Sequence, residues 1–387
     1  MRLLHLADLH LGKTVNGFSQ TDDQRHILHE ALRIAQDESV DAILLAGDLY
    51  DRSSPSAEAV SLLDGFLTRA ADLGIAVLAI PGNHDSAERV AYAAGPLSRQ
   101  GIYLAPAFDG SVRRVVLEDE HGPVAFWLLP FLKPASVRCF FPEADIGQDY
   151  TAALRTVLAS CALDAAQRNV LLCHQFVTVG GAAPDRTDSE LSLGGLDNVD
   201  ASVFDAFDYV ALGHVHRPQR VGRDQVRYAG SPLKYSLSEA RDRKSAVLVD
   251  LGPKREGERC AVRIELAPLE PLRDLRRITG PLAELVSDEV VRSADANDYI
   301  HAVLTDATPV IDALARLRAA YPNVMSMEYA AQSRAADTSP APDRGEAPQE
   351  SPFELFERFF EERNGFPLTT RQAQRVRHVL EYAEEDA

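Results

Sequence analysis

Short apolar runs alternate with amphipathic segments over the first eighty residues. Leu3–Ala7 has the apolar character of a strand buried on both faces of a parallel sheet. Thr21–Glu38 repeats with helical period, placing Ile27, Leu28, Ala31, Leu32, Ile34 and Ala35 on one side. Its start beside Asp22 and Asp23 suits a helix N-terminus, where negative charge is favoured. Ala42–Ala46 reads as a second strand, Ser56–Leu73 as a second helix closed by Gly74, and Ile75–Ile80 as a third strand. Strand–helix–strand alternation of this kind predicts a doubly wound α/β sheet.

The pattern changes near Val112. Val112–Leu117 and Val124–Leu129 read as strands around a turn at Asp119–Pro123. Asp149–Leu163 is helical, and Val170–Cys173 is a strand. Gly180–Gly195 is a long polar, glycine-rich loop, a length usually reserved for function. Tyr209–Leu212 follows, and Val226–Tyr228, Ala246–Asp250 and Val262–Leu266 are expected to complete a second sheet. The fold class expected is α/β: a two-sheet sandwich flanked by helices over residues 1–270. Residues 271–332, with a strand at Tyr299–Thr305, a helix at Pro309–Ala320 opened by proline and a strand at Val324–Tyr329, predict a small α+β capping domain. Residues 333–352 are rich in Pro, Ser, Ala and charge and read as a disordered linker. Residues 353–387 predict a C-terminal helical hairpin. Phe353, Leu355, Phe356, Phe359 and Phe360 stripe its first helix; Val376, Val379, Leu380 and Tyr382 stripe the second, Arg371–Glu384.

A length of 387 residues with 45% hydrophobic positions fits two or three globular domains. No apolar run approaches the ~18 residues of a membrane span, and the N-terminal residues lack a signal-peptide pattern. The four cysteines show neither close pairing nor zinc spacing. These features together favour a cytoplasmic location. The net charge of −18 argues against a nucleic-acid surface supplied by this chain alone, since such surfaces are basic. Bound divalent ions would offset carboxylates locally, or a second subunit would supply the positive surface.

Five of the expected strands end on metal-ligand residue types. Asp8 and His10 follow the first, Asp48 follows Gly47, Asn83 and His84 occupy the turn Pro81–Asp85, His174 ends another strand, and His214 and His216 follow Gly213. In open α/β sheets, ligands collect outside the carboxyl ends of the strands. Residues i and i+2 of extended chain share a side, so each Asp-x-His or His-x-His pair can serve one centre or two adjacent ones. Asp, Asn and neutral His suit Mn²⁺, Fe²⁺ or Zn²⁺, and the lack of thiolates argues against a structural zinc site. Two cations ~3.5–4 Å apart need an anion between them, and Asp48, in the middle, is the candidate. Such a pair is suited to hydrolysing phosphate esters. Gly47, Gly82 and Gly213 each precede a candidate and permit close approach. Each short motif alone is weak; their conjunction at five strand ends carries the reading. His5, His26, His29, His121, His301, His378, Cys173 and Trp127 read as surface or packing residues.

Asp8-x-His10, Gly47-Asp48-x-x-Asp51, Gly82-Asn83-His84-Asp85, His174 and Gly213-His214-x-His216 resemble the calcineurin-like metallophosphoesterase superfamily. The flanking segments LLHLADLHLGK, GDLYDRSSPSAEAV and SPFELFERFFEERNG resemble, within it, nuclease subunits that work with an SMC-family ATPase. The resemblance implies a two-sheet metallophosphoesterase sandwich holding two Mn²⁺ ions. Asp8, His10 and His216 would hold one, Asn83, His174 and His214 the other, and Asp48 would bridge. His84 would stay off the metals and act on the transition state. The implied substrate is DNA, cut from double-strand ends and at hairpins. The implied partner is the ATPase, bound through residues 353–387, with the nuclease subunit forming a homodimer. Archaeal and eukaryotic relatives carry His where this chain has Asp51, so strand polarity does not transfer. Two other readings stand beside this one. A stand-alone phosphodiesterase or phosphatase on small nucleotides would suit the acidic charge, whereas a non-catalytic scaffold would be expected to have lost ligands.

Overall fold

The computed structural model describes residues 1–185, 187, 197–255, 257–330, 353, 356–358, 360 and 367–376. Two six-stranded sheets dominate. The first runs in the order Val262–Pro268, Ser245–Leu251, Arg2–Leu6, Ala42–Ala46, Ala76–Ile80, Ile102–Leu104. Its last four strands are parallel, and the first two join antiparallel. The second runs Gln219–Val221, Arg223–Tyr228, Tyr209–Gly213, Arg168–His174, Gly122–Leu129, Arg113–Asp119, parallel at its centre and antiparallel at both edges.

Strand alternation sorts the core into layers. Ala42, Leu44 and Ala46 face inward with Leu3, Leu78 and Ile80, meeting Val124, Phe126, Leu128, Val170, Leu172 and Ala211 of the opposing sheet. Ile43 and Leu45 face outward with Leu4 and Leu6, against Ile27 and Leu28 of helix Thr21–Asp37 and Leu63 and Phe66 of helix Ala57–Asp72. Burial of a side chain such as Phe66 contributes roughly 1.5–3 kcal/mol. The second of these helices is set by Ser56, whose side chain accepts from the Ala59 N–H. On the far side, helix Tyr150–Ala159 packs Leu154 and Val157 over Leu171, Cys173, Val210 and Leu212. Trp127 is buried and its Nε1–H donates to Asn169 Oδ1 at 3.1 Å. His5 is buried between the sheets, with Nδ1 2.9 Å from the Tyr209 hydroxyl.

One sheet assignment from the sequence is corrected. Ala246–Asp250 and Val262–Leu266 do not complete the second sheet. Their strands extend the first, Arg2 pairing with Asp250 and Leu3 with Val249. Periodicity identifies a strand but not its neighbours. Both edges of Arg2–Leu6 are paired, one with Ser245–Leu251 and the other with Ala42–Ala46, and Leu3, Leu4 and Leu6, buried to 2% exposure or less, show that both its faces are covered.

Leu275–Gly280, Tyr299–Leu304 and Val324–Tyr329 form a separate three-stranded parallel sheet. Leu282, Leu285, Ile300, Leu304, Leu317, Tyr321 and Val324 make its own core. Its first strand, LRRITG, escapes the sequence reading because two arginines interrupt the apolar pattern. Helix Ala313–Ala320 starts later than Pro309, because Asp312 adopts a left-handed φ of 55° immediately before it. The chain divides after Ala330 into a second unit, Ala331–Ala387. There residues 353, 356–358, 360 and 370–376 are helical, and the Phe356 and Phe360 rings lie 6.5 Å apart. The expected linker 333–352, much of both tail helices and residues 186 and 188–195 of the long loop lie outside the described residues. Among the described residues no helix is long and apolar enough to cross a membrane.

Candidate metal centre

The carboxyl ends of strands from both sheets meet at one place. The loop after Arg2–Leu6 is locked to the loop after Ala42–Ala46 by Asp8 N–H to Gly47 O at 3.0 Å and His10 N–H to Asp48 O at 2.9 Å. In the other sheet His174 and Gly213 are register partners. The chain turns sharply at each exit. Asp8, His10, Asp48 and His214 all hold positive φ, at 54°, 44°, 49° and 103°. Such conformations cost free energy outside glycine and cluster at functional sites.

All eight candidates converge. His10 Nε2 lies 3.2 Å from His216 Nε2 and 3.7 Å from Asp48 Oδ2. On the other side, His174 Nε2 is 3.3 Å from Asp48 Oδ2 and 3.0 Å from Asn83 Oδ1. His214 Nδ1 is 2.9 Å from the same Asn83 oxygen. Asp48 therefore stands between a group of Asp8, His10 and His216 and a group of Asn83, His174 and His214. Ligand atoms of Asp8, His10 and His216 lie within 4.8 Å of one another, as do those of Asp8, Asp48 and His174, and those of His10, Asp48 and His84.

This donor set fits divalent cations. It is built from carboxylate, amide and imidazole groups, and no thiolate enters it. Asp8 Oδ2 is buried without a hydrogen-bond partner, an expensive arrangement for a carboxylate oxygen unless a cation neutralises it. Two imidazole nitrogens pointing at each other across 3.2 Å are likewise placed to share a cation. Burial holds His10 well below the ordinary imidazole range and lowers His214 to about 3, so both stay neutral at pH 7, the form that ligates. Burial would raise Asp48, but His174 and His10 outweigh it and hold this carboxyl well below the ordinary range. Burial would lower His174, but Asp48 prevails and raises it to about 9. Asp8 is pushed up to about 6 by burial, against the pull of His174 and His216.

The three glycines are explained by contact. A Cβ on Gly47 would lie 2.2 Å from His174 Nδ1, and one on Gly82 would lie 2.1 Å from Asp48 Oδ1. On Gly213 it would meet the Ala46 carbonyl oxygen at 1.9 Å, and backbone cannot swing aside as a side chain can. Gly213→Ala is expected to destabilise the fold by about 1–3 kcal/mol, the usual cost of overpacking, and to weaken divalent-metal binding. Thermal unfolding with metal titration measures both; a variant matching wild type in both would show that the close approach is not required.

Around this core lie residues that position it. His174 Nδ1–H donates to the Ala46 carbonyl at 2.8 Å, turning Nε2 toward Asp48 and Asn83. Asp85 accepts from the N–H groups of Leu49, Tyr50 and Gly82 at 2.9–3.0 Å, tying the Asp48 loop to the Asn83 turn. Glu239 lies 3.6 Å from His216 Nδ1 and pairs with Lys244 at 2.6 Å. Burial works to raise its pKa, and His216 and Lys244 overcome that and hold it below the ordinary range. Sequence reasoning missed Glu239, because nothing in Ser-Leu-Ser-Glu marks it. Asp85 at least falls within the Gly-Asn-His-Asp motif.

His84 differs from the rest. It is exposed, its N–H donates to Asp48 Oδ1 at 2.9 Å, and its Nδ1–H donates to the Asp51 carbonyl at 3.0 Å. The Asp51 side chain is occupied by Lys13 at 2.7 Å. His26, reaching Glu270 O at 3.1 Å, and His301, 3.4 Å from Glu328, make their contacts elsewhere. His378 lies outside the described residues.

Comparison with known proteins adds four matches. The family model for calcineurin-like phosphoesterases matches residues 1–218, and one described as type 5 capsule protein repressor C-terminal domain matches residues 271–364. A relative described as a subunit of the nuclease SbcCD, from Staphylococcus epidermidis (strain ATCC 12228 / FDA PCI 1200), is 29% identical, across 99% of this chain and 98% of its own. A solved dimetal phosphatase from Danio rerio aligns over 70% of this chain and 99% of its own, at 13% identity and a TM-score of 0.42.

Proposed function

This chain belongs to the calcineurin-like phosphoesterase family, and from that premise we propose that it is a Mn²⁺-dependent DNA phosphodiesterase, the nuclease subunit of an SbcCD-type complex in DNA repair, recombination and replication. It would act as an exonuclease on double-strand ends and as an endonuclease on hairpins and single strands. The observation that carries the reading is Asp48 standing 3.3 Å from His174 and 3.7 Å from His10, between two sets of nitrogen and oxygen donors. The end-to-end similarity to an SbcCD nuclease subunit supports DNA as the substrate.

In this reading Asp8, His10 and His216 would hold one ion, Asn83, His174 and His214 would hold the second, and Asp48 would serve both. Two divalent ions there would supply Lewis acidity for phosphate-ester hydrolysis. The chain's own groups do the rest. Asp48 supplies the negative charge that lets two cations sit together, and its Oδ1 fixes the His84 backbone. His84 Nδ1 is committed to the Asp51 carbonyl, so Nε2 is the nitrogen left to carry a proton to the leaving oxygen. Glu239 orients His216, and the Ala46 carbonyl orients His174.

Residues 271–332 would cap the nuclease domain, 333–352 would act as a linker, and 353–387 would bind an SbcC-like SMC-family ATPase. The nuclease subunit would pair with a second copy in the cytoplasm. The phenylalanine stripe supports the partner assignment, since such a face is commonly buried in a groove of another chain. Phe356 is 39% exposed. Each buried Phe contributes roughly 1.5–3 kcal/mol, so Phe356→Ala with Phe359→Ala is expected to weaken the complex by about a hundredfold or more. Light scattering or pull-down measures it, and a chain truncated at residue 340 that still binds its ATPase at full affinity would sink the assignment.

A second reading, phosphodiester hydrolysis on small nucleotides, is favoured by the net charge of −18. An assay with Mn²⁺ on blunt duplex, hairpin DNA and a small phosphodiester, with and without the ATPase, separates the two. Hydrolysis of the small ester alone under every condition would reject the nuclease reading.

A further inference from the structure

Phe131 stands at the mouth of the metal centre, just beyond the strand Gly122–Leu129. Its N–H donates to the Pro81 carbonyl at 3.1 Å, and the carbonyl of Leu132 accepts from Gln175 Nε2 at 2.9 Å. Pro81 opens the turn that carries Asn83, and Gln175 directly follows His174. Two ligand-bearing segments, one from each sheet, therefore hold this backbone in place. The Phe131 ring lies nearly parallel to His214, with centroids 6.5 Å apart and 21° between planes, and edge-on to His174 at 6.3 Å.

Packing against imidazoles does not by itself explain this ring. Phe176 already does that for His214, at 6.2 Å, and it is only 2% exposed. Phe131 is half-buried and opens toward a mouth where Asn83 and His84 are exposed. Lys133, two residues on, is also exposed, and among the described residues no ion pair engages it. A clamped, partly wet aromatic followed by an exposed cation has the composition of a single-strand nucleic-acid contact. There a base stacks on a ring and a basic group meets the backbone.

We propose that Phe131 is the platform on which the nucleobase beside the scissile phosphate stacks, with Lys133 meeting the neighbouring phosphate. The proposal rests on the DNA phosphodiesterase reading and gives that site a base-dependent, sequence-tolerant grip on its substrate. Stacking on an aromatic adds no hydrogen-bond readout, so all four bases are held.

The test uses the full chain with Mn²⁺ and a single-stranded oligonucleotide made with phosphorothioate linkages, into which one abasic residue is moved position by position. Fluorescence anisotropy gives the Kd at each position. In wild type, one position is expected to weaken binding by ~5- to 150-fold, the range for a base stacked on an aromatic. In Phe131→Leu, which keeps an apolar contact to His214, that penalty is expected to disappear. If the Leu variant fails to fold or to take up metal, Phe131→Trp decides instead: its larger ring is expected to deepen the penalty at that same position, and an unchanged penalty overturns the platform. A wild-type protein that cleaves ordinary DNA yet tolerates an abasic residue everywhere also overturns it, and leaves the phosphodiesterase reading intact. Failure to bind or cleave DNA at all takes both down.

Discussion

Asp48→Asn is expected to abolish two-metal occupancy and phosphodiester hydrolysis while leaving the fold in place. The substitution keeps shape and removes one negative charge from the point where the two donor sets meet, 3.3 Å from His174 and 3.7 Å from His10. Two dications brought to ~3.5–4 Å repel strongly, and in the proposed centre Asp48 is the carboxylate that would offset that repulsion. The loss should exceed the ~10–100-fold in metal affinity that a merely orienting residue costs. Both Asp48 oxygens have structural work, since Oδ1 also accepts from the His84 backbone at 2.9 Å. Calorimetric metal titration, with circular dichroism for the fold, measures the outcome. Two sites of wild-type affinity in the variant would refute the bridge.

His84→Ala is expected to cut turnover by roughly 10²–10⁴-fold, the usual span of general acid–base catalysis, with metal content unchanged. The geometry allows a contrary outcome, because the His84 ligand atom falls within 4.8 Å of those of His10 and Asp48. Exposure and the Nδ1–H bond to the Asp51 carbonyl favour a proton-transfer role over ligation. His174→Ala serves as the control and should lose a metal. Loss of metal from His84→Ala as well would make His84 a ligand.

The sequence shows why the site was readable and parts of the fold were not. A metal centre at strand ends leaves a local trace. A buried strand announces itself by apolar density, and the next one to three residues carry the donor type, so Asp8, Asp48, Asn83, His174 and His214 can each be picked as candidates without knowledge of the neighbours the fold brings to them. Pairing between strands leaves no such trace. Ser245–Leu251 is as apolar as a member of either sheet, and only the open flank of Arg2–Leu6 decides where it goes. Glu239 and Phe131 were silent for the same reason: their roles come from what the fold places against them. Asp312 shows the local counterpart, a left-handed residue that shortens a helix whose apolar pattern starts earlier.

The pairing of Arg2 with Asp250 has a consequence for how the protein is made. Arg2–Leu6 leaves the ribosome well before its antiparallel neighbour and waits for it until residue 250 follows. At ~5–20 residues per second that is a delay of roughly 10–50 s. Throughout it, the backbone of Arg2–Leu6 has an unsatisfied edge, just ahead of the loop that bears Asp8 and His10. All eight candidate residues are synthesised by position 216, yet the sheet whose strand ends carry five of them is completed from behind. The nascent chain thus carries the full set of donors before it carries the framework that aligns them, and loading with metal belongs to the end of folding rather than its start.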